Sequence, residues 1–479
     1  MPSSCIDKFI YAVMVLLLSM LMVLCTDPAL SMVSEITPVF SVSQNFTDNY
    51  DKSEFDTQEE WYTTYDIDVL MSFVGKRART YINYVPQYKD YDRHDENDTI
   101  EHNVSLFGDF DPSRHSNIEY EFVYDDYDGD NNRESRESVA HAGGTFELGE
   151  HTGLYVSETY SRAFNRIQSS GEFQKHDTND ASIGLSHQFG ERNKWSAGFD
   201  YSFDKFDDPS ADEYESYGPH ASLAYWFNVK YGFDTSASYD RTEFDQSEND
   251  EDTWAGHIRF IRRVTRHFQV YIKYDHTYSQ DDTREHSVYN PSAGFDWKVS
   301  DTSNISAGAG VLFNEYEDQD GSRDVFFDID AFKLFDFSER GSFAISAASG
   351  YEETRRELAS LGFSTYYQAG FNYNYALTKR SSMDITGSYK RDEFEEEQSD
   401  RIDNTYDLSA GFNWSPLRWM NLYLSYSYIN FETDDSTVED YEENKAMVTV
   451  SFRPWKPIRL KPDYSAEQSR ESIENKIFR

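Results

Sequence analysis

Hydrophobic and polar residues alternate with a period of two along most of this chain. The clearest example is the segment 404–431, whose first half has a large or apolar residue at every second position: Tyr406, Leu408, Ala410, Phe412 and Trp414. Small or polar residues fill the positions between them. Period two is typical of a β-strand with one apolar and one polar face. After a four-residue turn at 415–418, a second alternating run reaches Phe431. The segment therefore predicts a β-hairpin.

This hairpin unit is repeated about eleven times. Short turns, most of which contain Lys or Arg, recur every 35 to 41 residues, for example at 75–77, 190–193 and 378–380. The connections at the other end of each hairpin are longer and rich in Asp and Glu, as at 125–137 and 393–403. A nearly constant period of this size indicates a repeated supersecondary unit. Eleven units give about 22 strands of roughly ten to thirteen residues.

Strands of this length, with short turns at one end and long loops at the other, are typical of bacterial outer-membrane barrels. We therefore predict an all-β fold, a transmembrane antiparallel up-and-down β-barrel of about 22 strands (20–24). The short basic turns are expected on the periplasmic side and the longer acidic loops on the extracellular side. A soluble β-solenoid or β-sandwich is the alternative, but a soluble core does not need aromatic residues at every turn.

The first 31 residues predict a secretory signal peptide. Lys8 precedes an apolar run at 9–24, and residues 29–31 offer a small-x-small cleavage site. Both cysteines of the chain lie in this segment, so no disulfide is expected after cleavage. The chain has no other run of 18 apolar residues, which excludes a helical membrane protein. The predicted organisation is a signal peptide at 1–31, a barrel at 32–453 and a periplasmic C-terminal tail at 454–479.

The composition adds one property to this picture, a strongly negative net charge. The formal net charge is −43, and 27% of the residues are charged, with a mean hydropathy of −0.76. Such values alone would suggest disorder, but 36 Tyr and 35 Phe placed at period two indicate a folded sheet. Nucleic-acid binding needs the opposite sign of charge and is not expected.

Aromatic residues cluster beside the short turns, where a barrel meets the membrane interface. The residues predicted for this girdle are Phe73, Phe189, Trp195, Trp226, Trp297, Trp414 and Trp419. The last alternating strand carries Val448, Val450 and Phe452 on one face. A terminal aromatic residue in such a strand resembles the assembly signal of outer-membrane proteins, so the barrel-assembly machinery is an expected partner.

The polar face of each strand is expected to line the lumen. Its predicted carboxylates are Asp66, Asp68, Glu119, Glu121, Asp200, Asp204, Asp234, Asp275, Asp296, Asp384 and Asp407. Its predicted cations are Arg259, Lys273 and Lys390. An excess of carboxylates in a pore favours cations over anions. The alternative is a merely wetted wall, since this face is polar whatever passes through.

Few residues separate the predicted cleavage site from the first strand, so no plug domain is expected before the barrel. Siderophore importers of this width fill their lumen with a plug, and that class is not expected here. The sequence also has no GxSxG, HExxH or phosphate-binding glycine motif, and we expect no enzyme activity. A barrel hydrolase would have to use a lumenal histidine such as His141, His220 or His257.

Two acidic segments are candidate sites for Ca²⁺ or Mg²⁺, and no other cofactor is expected. They are 125–130 and 318–321. The first resembles part of a calcium loop but lacks the bidentate Glu at its twelfth position. A bound divalent ion could bridge these segments to lipopolysaccharide, although a solvated acidic loop needs no ion.

Three prolines fall inside predicted strands: Pro86, Pro219 and Pro291. Each removes a backbone donor from the sheet, and prolines are found mainly at strand edges and bulges. We therefore expect these residues near the loop-side rim or at bulges.

The whole mature chain resembles the β-barrel porin type 2 group of Gram-negative outer-membrane proteins. The resemblance rests on the Tyr- and Asp-rich hairpins, on Ala-Gly-Phe-Asx-Trp/Tyr segments at 293–297, 369–373 and 410–414, and on the ending at 450–452. It implies a location in the outer membrane, with lipid and lipopolysaccharide as partners. Some members are associated with exopolysaccharide or exosortase systems, which implies a periplasmic export partner.

Two functions of different classes follow. The first is a porin-like channel with an acidic, cation-favouring lumen that passes cations or a neutral or uronate-poor polymer, and so serves exopolysaccharide export. The second is a non-conducting structural or surface-interaction barrel whose acidic loops bind divalent cations, lipopolysaccharide or matrix. Single-channel conductance separates the two.

Overall fold

The computed structural model describes residues 33–459 except for short gaps. The gaps are 51, 53–56, 94–97, 130–132, 167–172, 208–212, 246–249, 282–284, 317–318, 339, 357–358, 395–400, 436–439 and 455. The predicted signal peptide and most of the predicted tail lie outside the described residues. No helix in the described part of the chain is both long enough and apolar enough to cross a membrane.

All the regular secondary structure in the described residues is β-strand. The first eleven strands are β1 (Val33–Thr47), β2 (Glu60–Val74), β3 (Ala78–Tyr91), β4 (Thr99–Ser113), β5 (Ser116–Gly129), β6 (Arg133–Gly149), β7 (Thr152–Arg166), β8 (Phe173–Gln188), β9 (Lys194–Phe206), β10 (Tyr214–Trp226) and β11 (Tyr231–Phe244). The next eleven are β12 (Glu251–Arg263), β13 (Phe268–Gln280), β14 (Glu285–Ser300), β15 (Ser303–Tyr316), β16 (Gln319–Ser338), β17 (Gly341–Arg356), β18 (Ala359–Thr378), β19 (Ser381–Phe394), β20 (Arg401–Leu417), β21 (Met420–Thr433) and β22 (Tyr441–Phe452). A two-residue strand, β23 (Ile458–Arg459), follows.

These strands form one closed antiparallel sheet. Each strand from β1 to β21 pairs with the next one in the chain, and β22 returns to pair with β1. This closing ladder runs from Phe40 opposite Phe452 to Thr47 opposite Lys445. The predicted 22-strand antiparallel barrel is therefore confirmed, and closure leaves no long open edge of the sheet.

The tail contributes to the wall at the same seam. On the N-terminal side of Phe40, β1 extends past the end of β22. The short strand β23 pairs with this extension of β1, with Ile458 opposite Ile36. The guanidinium Nε of Arg459 lies 3.2 Å from Glu35 Oε1. The start of the tail is thus part of the sheet.

Most of the strands are longer than the predicted ten to thirteen residues, and the 22 barrel strands range from 12 to 20. The segment 125–137, interpreted from sequence as a loop, is largely a continuation of β5 and β6, paired from Asp125 opposite Glu137 to Gly129 opposite Arg133. Backbone donors and acceptors can still pair with the neighbouring strand beyond the apolar band, so the ladder continues there. Connections at the short-turn end have two to five residues.

The ladder register assigns the side chains to two faces, because directly paired residues share a face. One face carries highly exposed apolar side chains such as Ile67, Phe260, Ile272 and Val325. The other face is mainly polar and contains one small buried apolar cluster of Val288, Leu312 and Phe326. We assign the apolar face to the outside and the polar face to the interior, as in membrane barrels.

Each of the three prolines predicted to lie inside strands, Pro86, Pro219 and Pro291, coincides with an interruption of the ladder on one side. Pro86 pairs with His102 on β4, but the pairing with β2 skips residues 85 and 86. The pairing of β10 with β11 skips Gly218 and Pro219, and that of β14 with β15 skips Asn290 and Pro291. The missing N–H explains why each gap includes the proline. All three lie in the half of the strand that is nearer the long connections.

Candidate functional site

The structure places all fourteen residues predicted for the lumen on the inward face. Following the register from strand to strand connects them without a change of face, as from Asp234 to Arg259 to Lys273. The strands bring some of them together and leave others apart. Their effect on ion selectivity stays a prediction.

Arg259 links carboxylates from two other strands. Its Nε lies 3.0 Å from Asp234 Oδ2 on β11, and its Nη1 lies 3.5 Å from Asp296 Oδ2 on β14. The guanidinium stands 5.3 Å from the ring centroid of Tyr271 on β13, a residue that is 8% exposed. Asp296 also accepts hydrogen bonds from Gln269 and Ser306. This cluster is held in place by contacts across five strands.

Inward histidines are held by inward carboxylates on the neighbouring strands. His257 Nε2 lies 3.0 Å from Asp234 Oδ1, and His220 Nδ1 lies 2.6 Å from Asp200 Oδ2. His176, which the sequence analysis did not single out, pairs with Asp204. His141 instead contacts the hydroxyl of Thr159 at 2.9 Å. Several predicted carboxylates are therefore engaged with imidazoles.

Other inward carboxylates have no cationic partner among the residues that the structure describes. Asp66 is hydrogen-bonded to Gln87 at 2.6 Å, which leaves its charge uncompensated. Among the described residues, Glu121, Asp384 and Asp407 have no cation within salt-bridge distance. The predicted cations Lys273 and Lys390 are each paired with a carboxylate two residues along the same strand, at 3.0 Å from Asp275 and 2.9 Å from Asp392. The inward face thus keeps an excess of negative charge.

Sequence reasoning missed some inward charges. Asp328 and Asp330 lie on the inward face of β16, opposite Gly308 and Ser306. The same period-two count finds them, because Val325, Phe327 and Ile329 alternate with them on the outward face. Further inward cations that were not predicted from the sequence include Arg79, Lys89, Lys194, Arg263, Arg401 and Lys445.

Six of the seven residues predicted for the aromatic girdle lie on the outward face or in a short turn: Phe73, Phe189, Trp195, Trp297, Trp414 and Trp419. Trp226 is different. It lies opposite Gly232, on the face shared by Asp234, and the guanidinium of Arg263 stands 4.5 Å from its ring centroid. Gly232 leaves room for the indole, because an added Cβ would lie 2.6 Å from it. Trp226 therefore points inward, and its assignment to the girdle was wrong.

The residues of the predicted assembly signal share the outward face of β22. Val448 and Phe452 are 44% and 38% exposed, and Val450 lies between them on this face. The ring of Phe452 stacks on Trp419 with centroids 6.1 Å apart. Recognition by an assembly machinery stays a prediction.

The predicted divalent-cation segments are only partly visible. Asp125 and Asp126 are consecutive residues of β5 and therefore point to opposite faces. Asp126 pairs outward with Arg136 at 3.2 Å. The side chains of 128–130 and 318–321 lie outside the described residues. In the part of the chain that the structure describes, no group of three or more His, Cys, Asp and Glu residues could hold a metal ion.

Arg259→Met tests the three-residue cluster. The substitution leaves Asp234 and Asp296 facing each other without the guanidinium, and both carboxylates are about three-quarters buried. We expect the free energy of unfolding to fall by about 2 kcal/mol, because a partly desolvated charge then lacks its partner. Urea titration in lipid vesicles measures this loss of unfolding free energy. In the control Lys205→Met, which removes one member of a pair whose two side chains are both 43% exposed, the change should stay within about 0.5 kcal/mol. Equal losses in both variants would contradict the special role of Arg259.

No model of a protein family matches this chain, and no curated protein matches it. Similar solved structures do exist, and all of those named here are receptors or transporters. The siderophore receptor PirA from Pseudomonas aeruginosa aligns over 87% of this chain and 80% of its own, with a TM-score of 0.55 and 9% identity. PirA from Acinetobacter baumannii aligns over 88% and 80%, with a TM-score of 0.57 and 7% identity. The FrpB iron transporter from Neisseria meningitidis aligns over 88% and 81%, with a TM-score of 0.59 and 10% identity. At this identity the likeness concerns the fold, and the fold is that of a large outer-membrane β-barrel.

Proposed function

We propose that this protein is an outer-membrane channel whose acidic lumen favours cations. The observation that carries the proposal is the sorting of side chains by the closed sheet, with apolar residues outside and an excess of carboxylates inside. An apolar exterior suits a barrel surrounded by lipid. Uncompensated carboxylates inside a pore lower the energy of a passing cation and raise that of an anion.

The unpaired carboxylates are expected to contribute most to selectivity. Asp200 and Asp234 are held by histidine or arginine, so much of their field is compensated locally. Glu121, Asp384 and Asp407 lie on β5, β19 and β20 and have no such partner among the described residues. These three are therefore the residues to neutralise.

Export of a neutral or uronate-poor polysaccharide, with a periplasmic partner, is the second element of the proposal. Its support is the resemblance to the porin type 2 group and the sign of the inward charge. A strongly anionic polymer would be repelled by this wall at close range. A neutral chain of sugars has no such penalty.

A non-conducting surface barrel is the second candidate function, favoured by one cluster on the outward face. Arg162 lies 2.6 Å from Asp177, and Lys175 contacts the same carboxylate. These residues lie at the loop-side ends of β7 and β8, where lipopolysaccharide headgroups would surround a barrel in the outer membrane. Two cations around one carboxylate leave a net positive charge that suits a phosphate group.

The test is single-channel recording in a planar bilayer under a salt gradient. The unmodified protein should give steady steps with a reversal potential of cation-selective sign. The combined variant Glu121→Gln, Asp384→Asn and Asp407→Asn should lower the cation-to-anion permeability ratio by roughly two- to fivefold, because each lumenal charge is worth up to about 1 kcal/mol in water.

The matched control removes the same number of carboxylates from the outward face: Glu158→Gln, Glu243→Gln and Glu393→Gln. This control should leave the permeability ratio unchanged. A folded barrel that gives no conductance would sink the channel proposal and favour the surface barrel. If the barrel conducts and both triple variants have the same permeability ratio, the protein is a channel, but the three inward carboxylates do not determine its selectivity.

A further inference from the structure

A cavity of about 400 Å³ opens on the inward face beside the Arg259 cluster. Its polar lining comes from several strands, and two aromatic residues complete it. The residues that matter for its chemistry are Lys273, Asp275, Asn290, Phe326, Asp328 and Tyr366. Its volume falls in the range of roughly 300–1,000 Å³ that is typical of small-molecule sites.

The cavity lies where the ladder between β14 and β15 is interrupted. This gap includes Asn290 and Pro291. On the opposite strand Gly310 allows the ring of Phe326 to come close, because a Cβ there would lie 2.5 Å from the ring and 2.7 Å from the carbonyl of Pro291. The recess therefore coincides with a local break in pairing and with a position that has no side chain.

Asn290 supplies an unused hydrogen-bond acceptor in this recess. Its side chain is only 1% exposed, and among the described residues its Oδ1 has no hydrogen-bond partner. A buried amide oxygen without a donor costs free energy, and such oxygens usually accept a hydrogen bond from another protein group or from ordered water. The cavity that Asn290 lines is the place from which a donor can reach it.

The lining groups suit a neutral ligand rather than a metal ion. The described residues contain no set of three metal-binding side chains, and the ammonium of Lys273 lies 3.0 Å from Asp275. Asn290 and Asp328 accept hydrogen bonds, whereas Lys273 donates them. A sugar has hydroxyl groups that do both, and its C–H faces pack on an aromatic ring such as that of Tyr366.

We propose that this cavity binds a hexose unit of a neutral polysaccharide. The inference rests on the proposed function, because a polymer reaches this wall only through the lumen. In this cavity Asn290 and Asp328 accept hydrogen bonds from sugar hydroxyls. A subsite of this kind would hold a passing chain at one depth in the barrel.

Binding can be measured without conductance. Isothermal titration calorimetry of the purified protein in detergent micelles would use neutral hexasaccharides of glucose, mannose, galactose and N-acetylglucosamine, with an oligogalacturonate as the anionic comparison. At least one neutral hexasaccharide should bind, and more tightly than the oligogalacturonate. Asn290→Leu and Asp328→Asn should each weaken this binding by about tenfold, because each removes one hydrogen-bond acceptor.

Asn413→Leu is the matched control, since Asn413 is an inward asparagine of β20 outside the cavity. It should leave the affinity unchanged. Circular dichroism establishes that each variant is folded, and the two cavity variants provide independent tests if one fails to fold. Absence of binding by the unmodified protein to all four neutral sugars, or equal weakening by Asn413→Leu, overturns the proposal. Binding to a silent barrel keeps the subsite and rejects the channel, whereas conductance without binding does the reverse.

Discussion

Thr449→Pro is expected to abolish the closed barrel. Thr449 lies in the middle of β22, opposite Ser43 of β1 and Tyr423 of β21, and its hydroxyl is 2.8 Å from that of Ser43. Proline removes a ladder donor from a strand that pairs on both sides. An unsatisfied backbone group within a membrane costs several kcal/mol, and here it falls on the eight-residue ladder that joins the last strand to the first. Heat-modifiable gel mobility of membrane fractions reports whether the folded barrel is present.

Lys456→Pro is the control for this change. Lys456 lies outside the strands, between Pro454 and Pro457, so a further proline interrupts no ladder. This variant should retain the heat-modifiable form at the level of the unmodified protein. A Thr449→Pro protein with normal heat-modifiability would contradict closure through β22.

Gly218→Ala is expected to destabilise the barrel by about 3 kcal/mol, because a Cβ at this position would overlap the backbone of the next strand. The added carbon would lie 1.7 Å from the carbonyl oxygen of Tyr239 and 2.8 Å from Asp240 Oδ1. Gly218 is buried beside Pro219, in the ladder gap between β10 and β11, so the two strands must separate to admit a methyl group. The midpoint of urea unfolding in lipid vesicles measures the loss.

Gly153→Ala makes the same chemical change at an inward glycine of β7. Its Cβ would meet only the hydroxyl of Ser186, at an ordinary contact distance of 3.5 Å. Its unfolding midpoint should therefore stay close to that of the unmodified protein. If both alanine variants unfold at the same urea concentration, the close approach at Gly218 is not a constraint on stability.

The alternation of residues was sufficient to predict the hairpin at 404–431 and the faces of its strands. The hairpin read from 404–431 corresponds to β20 and β21, and the outward set from Tyr406 to Trp414 lies on one face as predicted. The turn was less well predicted. Ladder pairing shifts between Trp414 and Leu417, so residues 415 and 416 form an irregularity within the strand and the turn shortens to Arg418 and Trp419. A period-two count cannot reveal an inserted residue.

The inner wall was predictable one residue at a time but not as a set of contacts. Period two identifies Asp234, Arg259 and Asp296 as inward residues, but only the register shows that one guanidinium joins both carboxylates. Trp226 was misassigned because residues beside a turn occur on both faces of the sheet, so closeness to the turn does not identify the face. The recess at Asn290 depends on the interruption at Pro291, which the sequence indicated, and on a glycine of the neighbouring strand, whose proximity only the register shows.

The pairing of β23 with β1 brings the two ends of the described chain side by side. Glu35 and Arg459 are direct partners in the sheet, although they are 424 positions apart in the chain. Every barrel strand therefore has a neighbour on each side. The packing of the strands does not determine which of them comes first in the chain. A short peptide linker across this seam would make the wall a covalent ring. Opening that ring at another connection would give a circular permutant with the same neighbours for every strand.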